Sequence, residues 1–299
     1  MKLDITHAIK DVRDTHPLIH CITNYVTVND VANSILAIGG SPIMADALEE
    51  VEAVVSKSKA LVLNIGTLNE NTVTAMILAG QTANAKNIPV IFDPVGAGFT
   101  PYRTEAAKKI LDEVRVGIIR GNLSEIASLA GIKSANKGVD ASDSITDIKN
   151  SIAGIDQVAI AKGLAQKYST IIAITGQTDI ISDGNCCYKI RNGHPMLSKV
   201  TGTGCMATGL IAAFAGANSD AITGANTAAT SGINTTAAVS RTAMLSAAVA
   251  GIASMGIAGE IAFAKAGSEG TGSFHVAIID ALSRMNDVEL QSHLKLEEV

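Results

Sequence analysis

Aromatic residues are scarce in this chain. Its 299 residues include five phenylalanines, four tyrosines and no tryptophan, whereas 47% of the sequence is hydrophobic. The core must therefore be built from alanine, isoleucine, valine and leucine, with glycine allowing helices to pack closely. The length permits one large α/β domain or two ordinary ones. Because no linker, repeat or low-complexity tract divides the chain, we predict a single domain over residues 1–299, with a frayed, charged tail at 287–299.

Positive charge is also lacking. The formal net charge is −5, only 17% of the residues are charged, and no basic cluster offsets the acidic balance. We therefore expect no nucleic-acid partner and no binding to an anionic membrane. The uncharged stretch 242–259 is long enough to raise the question of a membrane span. Its small side chains, with Glu260 and Lys265 close behind, favour a buried helix of a soluble protein instead.

Paired cysteines and metal-ligating histidines are missing as well. The four cysteines form no C-x-x-C pair, and the adjacent Cys186 and Cys187 are poor candidates for a disulfide. Together with an N-terminus that has no apolar signal core, this pattern predicts a cytoplasmic protein. The six histidines show neither zinc-ligand spacing nor a Ser-His-Asp order, which argues against a zinc site and a hydrolase triad.

Short apolar runs alternate with helical stretches over the first two thirds of the chain. Strands are predicted at 18–22, 41–44, 61–65, 89–92, 116–119, 170–174 and 179–181, and helices near 27–38, 47–58, 70–87, 103–114 and 144–167. After residue 204 only helices are predicted, the last near 274–286. Such alternation is typical of an α/β fold, with a mostly parallel sheet covered by helices on both faces and a helix-rich C-terminal third.

A glycine-rich loop over residues 199–209 is the most informative segment. It leads directly into an apolar, alanine-rich run, so Gly202, Thr203, Gly204 and Cys205 would form the first turn of a buried helix. Free backbone N–H groups and the positive end of the helix dipole make such a turn an anion site. The loop lacks the Lys-Ser/Thr of a P-loop, and its third glycine, Gly209, comes too late for a dinucleotide fingerprint. An ordinary turn between packed elements would have the same spacing.

Polar residues follow several predicted strands. Asp93 ends one strand, the run from Arg120 through Asn122 to Glu125 follows the next, and Thr175 ends another. Ligands of open α/β sheets bind at the carboxyl ends of strands, where arginine pairs with phosphate and carboxylates hold Mg²⁺. Each residue also has an ordinary explanation: Asn122 as an N-cap, Glu125 as a first-turn carboxylate, and Arg120 as a solvated charge.

Five motifs, taken in order, resemble a known family. They are Cys21-Ile-Thr-Asn-Tyr-Val-Thr-Val-Asn-Asp-Val-Ala-Asn33, Gly40-Ser-Pro-Ile-Met-Ala45, Asp93-Pro-Val-Gly-Ala-Gly98, Arg120-Gly-Asn-Leu-Ser-Glu125 and Val200-Thr-Gly-Thr-Gly-Cys205. The chain resembles hydroxyethylthiazole kinases of the ribokinase-like superfamily from about residue 10 to 282. The resemblance implies a ribokinase-like three-layer sandwich and transfer of the ATP γ-phosphate to the hydroxyl of 4-methyl-5-(2-hydroxyethyl)thiazole, in thiamine biosynthesis or salvage.

The resemblance also implies roles for individual residues. Met44, Asn24 and Gly202 would line the thiazole pocket, and Arg120 and Thr175 would contact ATP. Asp93 and Glu125 would organise Mg²⁺ with Asn122 nearby, the amides of 202–205 would form the anion hole, and Cys205 would act in catalysis. The family assembles as a homotrimer with its thiazole site near a subunit boundary.

Cys205 stands where most ribokinase-like kinases have an aspartate base, although thiazole kinases commonly share the cysteine. A free thiol titrates near pH 8.5 and an aspartate near about 3.9, so the base assignment stays open. Two other functions are also possible on this scaffold. One is a different ribokinase-like enzyme, such as a hydroxymethylpyrimidine kinase or an NAD(P)H-hydrate dehydratase, and the other is a non-catalytic nucleotide sensor.

Overall fold

A nine-stranded sheet forms the centre of the fold. In the computed structural model, residues 3–132, 154, 156–219 and 233–299 are described. The strand order is β2-β1-β3-β4-β5-β6-β7-β8-β9. The strands are β1 Leu18–Ile22, β2 Ser41–Met44, β3 Ala60–Asn64, β4 Val90–Asp93, β5 Ile118–Asn122, β6 Ile171–Thr175, β7 Asp179–Ser182, β8 Cys187–Ile190 and β9 Leu296–Glu298. Pairings from β2 to β6 are parallel and those from β6 to β9 are antiparallel.

Helices cover both faces of this sheet. They are α1 Ala8–Thr15, α2 Val28–Ile38, α3 Val51–Val55, α4 Glu70–Ala85, α5 Pro101–Glu113, α6 Leu123–Leu129, α7 Gln157–Tyr168, α8 Thr203–Ala217, α9 Ile233–Ala266, α10 Thr271–Arg284 and α11 Asp287–His293. A 3₁₀ helix, Pro195–Lys199, precedes α8. The residues of the central strands alternate between the two faces, so Val62 joins the core beneath α8 whereas Leu61 and Leu63 join the core beneath α4. The predicted three-layer α/β architecture is confirmed.

The topology brings the polar strand ends to one edge of the sheet. Because β1 and β3 to β6 run parallel, the residues at their carboxyl ends lie side by side, and Asn64 is opposite Asp93 in the register of β3 and β4. The same register places Asn122 opposite Thr175. The N-terminus of α8 opens at this edge, and the helix beyond it is buried from Met206 to Gly216.

The apolar stretch near residue 242 is a core helix, as predicted. Within α9, Ser240–Ala266 is long and apolar enough to cross a membrane, but 78% of that apolar window is buried inside the structure. The helix is rich in alanine and glycine, whose small size lets α9 pack closely against α8 and α10. Gly251, for example, lies so near Ile211 that an added Cβ would be 2.5 Å from its side chain.

The prediction of a frayed tail at 287–299 is wrong. Residues 287–293 form α11, whose N-cap Asn286 accepts a hydrogen bond from the Glu289 amide. Leu290 is buried, and β9 extends the sheet by pairing with β8. The charged composition concealed the local cap, and the core contact of Leu290 and the pairing of β9 depend on partners far away in sequence.

The remaining differences concern the extents of some elements and the presence of others. The helix predicted over 47–58 is confined to α3, and the one predicted over 144–167 is seen as α7, since its first half lies outside the described residues. Neither α1 nor β8 was predicted. β8 pairs with β7 across a turn in which Asp183 accepts hydrogen bonds from the amides of Asn185 and Cys186.

Candidate active site

The glycine-rich turn at residues 202–205, the predicted anion loop, has the conformation that its glycine spacing predicts. Gly202 is the N-cap of α8 at φ 86°, in the left-handed region that favours glycine, and no side chain caps the helix. Its Cα lies against Thr27, because an added Cβ would be 3.0 Å from the Thr27 Cγ2. The amides of Thr203, Gly204 and Cys205 therefore form an uncapped first turn at the positive end of a 15-residue helix.

Two asparagines hold the Cys205 sulfur. Asn64 Nδ2 donates to Sγ at 3.2 Å and Asn24 Nδ2 donates to it at 3.4 Å. Asn24 also donates to the Asn64 side-chain oxygen at 3.0 Å, so the two amides form one buried unit. Burial raises the pKa of the Cys205 thiol, and the nearby Asp93 carboxylate adds to that shift. Both effects favour the neutral thiol over the thiolate.

Asp93, at the end of β4, is completely buried. Its Oδ2 accepts hydrogen bonds from Thr208 Oγ1 at 2.8 Å, from Asn64 Nδ2 at 3.1 Å and from the Arg120 guanidinium at 3.4 Å. Burial raises the pKa of this carboxyl, while Arg120 and the other donors oppose the shift. The second oxygen, Oδ1, has no hydrogen-bond partner, which is unusual for a buried carboxylate.

Arg120 connects the anion loop to the end of β6. Its Nη2 donates to Thr175 Oγ1 at 2.6 Å, and its Nη1 faces Asp93. The guanidinium also lies against the backbone of Gly204, where an added Cβ would be 2.5 Å from Nη1. The glycine thus lets a cation approach the first turn of α8. A phosphate at that turn would meet backbone donors and a guanidinium together.

Glu125 forms a reciprocal cap at the start of α6. The Asn122 side chain accepts from the Glu125 amide at 3.0 Å, and Glu125 Oε2 accepts from the Asn122 amide at 2.8 Å. The other oxygen, Oε1, accepts from the Gly96 amide at 2.9 Å. Burial raises the pKa of Glu125, with a further contribution from Asp93. The N-cap role considered for Asn122 and the first-turn position considered for Glu125 are confirmed, whereas their metal roles stay predictions.

The carboxylates of Asp93 and Glu125 suit a cation that keeps several of its water ligands. Among the residues that the structure describes, no group of three or more His, Cys, Asp or Glu side chains could hold a metal ion. Mg²⁺ needs only one or two carboxylates when substrate phosphates supply the remaining ligands. The unpartnered Asp93 Oδ1 is the kind of ligand such an ion requires, so the donor set fits Mg²⁺ bound with a nucleotide.

Met44 lies further along the same edge. It ends the edge strand β2, opposite Cys21 in the register, and packs against the core on the α8 side. The next residue, Ala45, is held by His20, whose Nε2 is 2.7 Å from the Ala45 carbonyl oxygen. Met44 thus shares the carboxyl edge with Asn24 and Gly202, and its contact with a substrate stays a prediction.

Three residues of the site were missed or given no role by sequence reasoning. Asn64 lies within the strand predicted over 61–65 and was given no role, although it contacts Cys205, Asp93 and Asn24. Thr208 carried a usable signal, because it lies three residues after Cys205 and therefore on the same side of α8. Arg103, on α5, had no signal; it donates hydrogen bonds to the carbonyls of Ile65, Gly66 and Val95.

Comparison with known proteins agrees with this geometry. The model of the hydroxyethylthiazole kinase family matches residues 9–230. A hydroxyethylthiazole kinase from Ruminiclostridium cellulolyticum is 49% identical over 295 residues, covering 99% of this chain and 97% of that protein. A solved hydroxyethylthiazole kinase from Pyrococcus horikoshii OT3 superposes with a TM-score of 0.75 at 35% identity, covering 98% and 97% of the two chains.

A more distant structure supports the wider fold. Pyridoxal kinase from Staphylococcus aureus, solved in complex with ADP, gives a TM-score of 0.53 at 16% identity and covers 82% of this chain and 88% of its own. That likeness concerns the ribokinase-like fold alone. The extent and identity of the nearer matches decide the family. This chain belongs to the hydroxyethylthiazole kinase family.

Proposed function

We propose that this protein transfers the γ-phosphate of ATP to the hydroxyl of 4-methyl-5-(2-hydroxyethyl)thiazole, in thiamine biosynthesis or salvage. One observation carries the proposal: the uncapped first turn of α8, Arg120 against Gly204, and the fully buried Asp93, linked to Cys205 through Asn64, form one partly buried cluster. A kinase needs donors, a cation and carboxylates at the point where the phosphoryl group changes partners. The acceptor, the thiazole alcohol, is inferred from membership in the hydroxyethylthiazole kinase family.

Most of the rate would come from positioning and charge stabilisation. Phosphoryl transfer passes through a loose transition state whose charge is spread over the equatorial oxygens. The amides of Thr203, Gly204 and Cys205 are aimed at that charge without reorganising, and Arg120 adds a fixed cation. The buried setting strengthens each of these interactions relative to water.

Only the thiolate form of Cys205 would accept the hydroxyl proton, late in the reaction, and become the neutral thiol. Because burial raises the pKa of the thiol, this thiolate is scarce at neutral pH. Asn24 and Asn64 donate to the sulfur, so they would hold it in place and stabilise any thiolate that forms. In a loose transition state the alcohol proton need not leave early. Cys205 therefore supplies a smaller share of the rate than the anion loop.

Mg²⁺ would be held by Asp93 and Glu125, with Asn122 nearby, together with phosphate oxygens of ATP. When bound, it would neutralise phosphate charge during transfer. Glu125 is fixed in place by the amides of Asn122 and Gly96, so its position does not depend on the ion. Asp93 keeps Oδ1 free of protein donors for the ion.

The two substrates would occupy neighbouring parts of the sheet edge. Met44, Asn24 and Gly202 would line the thiazole pocket, and Arg120 and Thr175 would contact ATP. Asn24 lies within hydrogen-bonding distance of Cys205, which suits an acceptor hydroxyl placed between them and the anion loop. We also propose that the enzyme is cytoplasmic and works as a homotrimer. Tyr25 and Val26, next to Asn24, are 79% and 58% exposed, as expected of a site near a subunit boundary.

A thiazole-dependent ADP assay tests the proposal. The purified chain is given ATP, Mg²⁺ and a panel of small alcohols that includes the hydroxyethylthiazole, hydroxymethylpyrimidine and pyridoxal. The proposal expects rapid ADP formation with the thiazole and a phosphorylated thiazole product. A preference for hydroxymethylpyrimidine, or ATP binding without turnover of any alcohol, would overturn it in favour of another kinase or a nucleotide sensor.

A further inference from the structure

Arg103 makes an unusual set of contacts behind the site. Its Nη1 donates to the carbonyl oxygens of Ile65 and Val95, and its Nη2 donates to that of Gly66, each at 2.9 Å. In the described part of the chain, no carboxylate lies within 4.0 Å of this guanidinium. The side chain is thus committed to backbone carbonyls of two loops, one after β3 and one after β4.

The same peptide units face the site on their other side. In the Ile65–Gly66 peptide, the carbonyl oxygen accepts from Arg103, and the N–H, which belongs to Gly66, donates to Asn64 Oδ1 at 2.9 Å. In the Val95–Gly96 peptide, the carbonyl oxygen likewise accepts from Arg103, and the N–H of Gly96 donates to Glu125 Oε1 at 2.9 Å. One guanidinium nitrogen therefore holds two peptide units whose opposite ends hold Asn64 and Glu125.

Local helix stability does not explain an arginine at this position. Arg103 lies in the first turn of α5, where the helix dipole disfavours a cation. The backbone beside it also leaves little room. Gly96 has φ 75°, and an added Cβ there would be 3.1 Å from Arg103 Cδ. The tertiary contacts must outweigh these costs, and two of the three lead to Asn64 and Glu125.

We infer that Arg103 is a positioning residue, which aligns Asn64 and Glu125 through the Ile65–Gly66 and Val95–Gly96 peptides and so sets the transfer geometry. Hydrogen bonds along such a chain polarise one another, so losing the guanidinium weakens the amide donors as well as freeing the loops. The inference rests on the proposed function for its kinetic part only.

Lysine cannot replace this side chain. Its ammonium is a compact charge on a flexible stem and lacks the planar fork that reaches three carbonyls at once. We therefore expect both Arg103→Lys and Arg103→Gln to lower kcat by about 10- to 100-fold, as outer-shell substitutions commonly do. The loss should fall on kcat and on the Mg²⁺ requirement more than on the thiazole KM, because Asn64 and Glu125 act on the reacting groups.

Arg115 provides a matched control. Its guanidinium also donates to a backbone carbonyl, that of Asn84 at 3.3 Å, but at the amino end of β5, away from the site. Arg115→Gln should leave kcat and the Mg²⁺ requirement within about twofold of the wild type, since surface changes far from the chemistry are usually near neutral. Equal losses in the Arg103 and Arg115 variants would overturn the inference.

An NMR readout tests the positioning without any turnover. The dipeptide Ile-Gly occurs only at 38–39 and 65–66, and Val-Gly only at 95–96 and 116–117. Labelling the carbonyls of isoleucine and valine with ¹³C and glycine with ¹⁵N therefore selects the signals of four glycine amides. In Arg103→Gln the amide protons of Gly66 and Gly96 should move upfield, while those of Gly39 and Gly117 stay in place. Unchanged Gly66 and Gly96 signals would overturn the inference, even if the thiazole assay succeeds. If Arg103→Gln is poorly folded, the same measurement on Arg103→Lys decides.

Discussion

The guanidinium of Arg120 lies directly on the backbone of Gly204, so that a Cβ at residue 204 would be 2.5 Å from Nη1. Arg120 is fixed from the other side by Thr175, whose hydroxyl accepts a hydrogen bond from Nη2 of the arginine at 2.6 Å. The cation cannot retreat without losing that bond. The contact places a positive charge at the first turn of α8, where an anion would bind.

Gly204→Ala should therefore displace Arg120 and lower kcat by about 10²-fold, comparable to removing one donor of an anion hole. Gly163→Ala is the matched control, because Gly163 lies in α7 with open space around it. That substitution should keep full activity and gain up to about 1 kcal/mol of stability from helix propensity. Steady-state kinetics and urea unfolding of both variants check this. Similar kinetics for the two alanines would contradict the role of the contact.

Cys205→Ala should slow turnover by no more than about 10²–10⁴-fold, the usual contribution of a general acid–base group. The reason is that a thiol whose pKa is raised is seldom present as the thiolate base, whereas the amide donors remain. Single-turnover rates measure the chemical step directly. Cys186→Ala, at the turn between β7 and β8, serves as the cysteine control. Complete loss of transfer with normal ATP binding would indicate covalent catalysis instead.

Glu125→Gln should raise the Mg²⁺ concentration needed for half-maximal rate by about 10- to 100-fold, with a smaller change in the thiazole KM. The glutamine keeps one acceptor for the amides of Gly96 and Asn122 but removes the negative charge. Glu105→Gln, on the exposed side of α5, controls for loss of a carboxylate. A Mg²⁺ titration that is the same for Glu125→Gln and the wild type would exclude Glu125 from the metal shell.

Asp179 should make stability depend on pH. Burial raises the pKa of this carboxyl from 3.8 to about 7, although the Gly176 amide donates to it. The folded state then holds a proton that the unfolded state releases, so stability falls as pH rises from about 4 to 7. Asp179→Asn removes the effect. Relative to the wild type, its free energy of unfolding should increase by about 2–3 kcal/mol between pH 5 and pH 8.

Urea unfolding of both proteins at the two pH values measures the difference. The variant keeps an acceptor for the Gly176 amide, so loss of that hydrogen bond does not confound the comparison. A difference that is constant from pH 5 to pH 8 would mean that Asp179 is ionised in the folded protein throughout this range.

The sequence could predict the seven strands β1 to β7 and several of the polar residues at their ends. An apolar run that stops at Asp93 or Thr175 predicts both a strand and the polar residue at its end. Because the strands are parallel, their carboxyl ends lie at the same edge of the sheet. The turn at Gly202 could also be predicted, because a glycine directly before an apolar run is typical of a tight turn that begins a buried helix. These features are local, so a pattern of neighbouring residues contains them.

The residues that the sequence did not reveal act through tertiary contacts. Arg103 lies on a helix whose pattern is that of an ordinary surface helix, and its three carbonyl partners are 8 to 38 positions away. Leu290 and β9 likewise gain their partners only after the sheet has formed. The pKa direction of Cys205 depended on how deeply α8 is buried and on the distance to Asp93, neither of which spacing gives.

The central claim is that the amides of Thr203, Gly204 and Cys205 hold the phosphoryl group as it is transferred. A crystal structure with a nonhydrolysable ATP analogue, Mg²⁺ and the thiazole alcohol tests it most directly. The account predicts terminal phosphate oxygens about 2.7–3.2 Å from these amide nitrogens, with Arg120 beside them. A terminal phosphate bound elsewhere, with the first turn of α8 left to solvent, would contradict it.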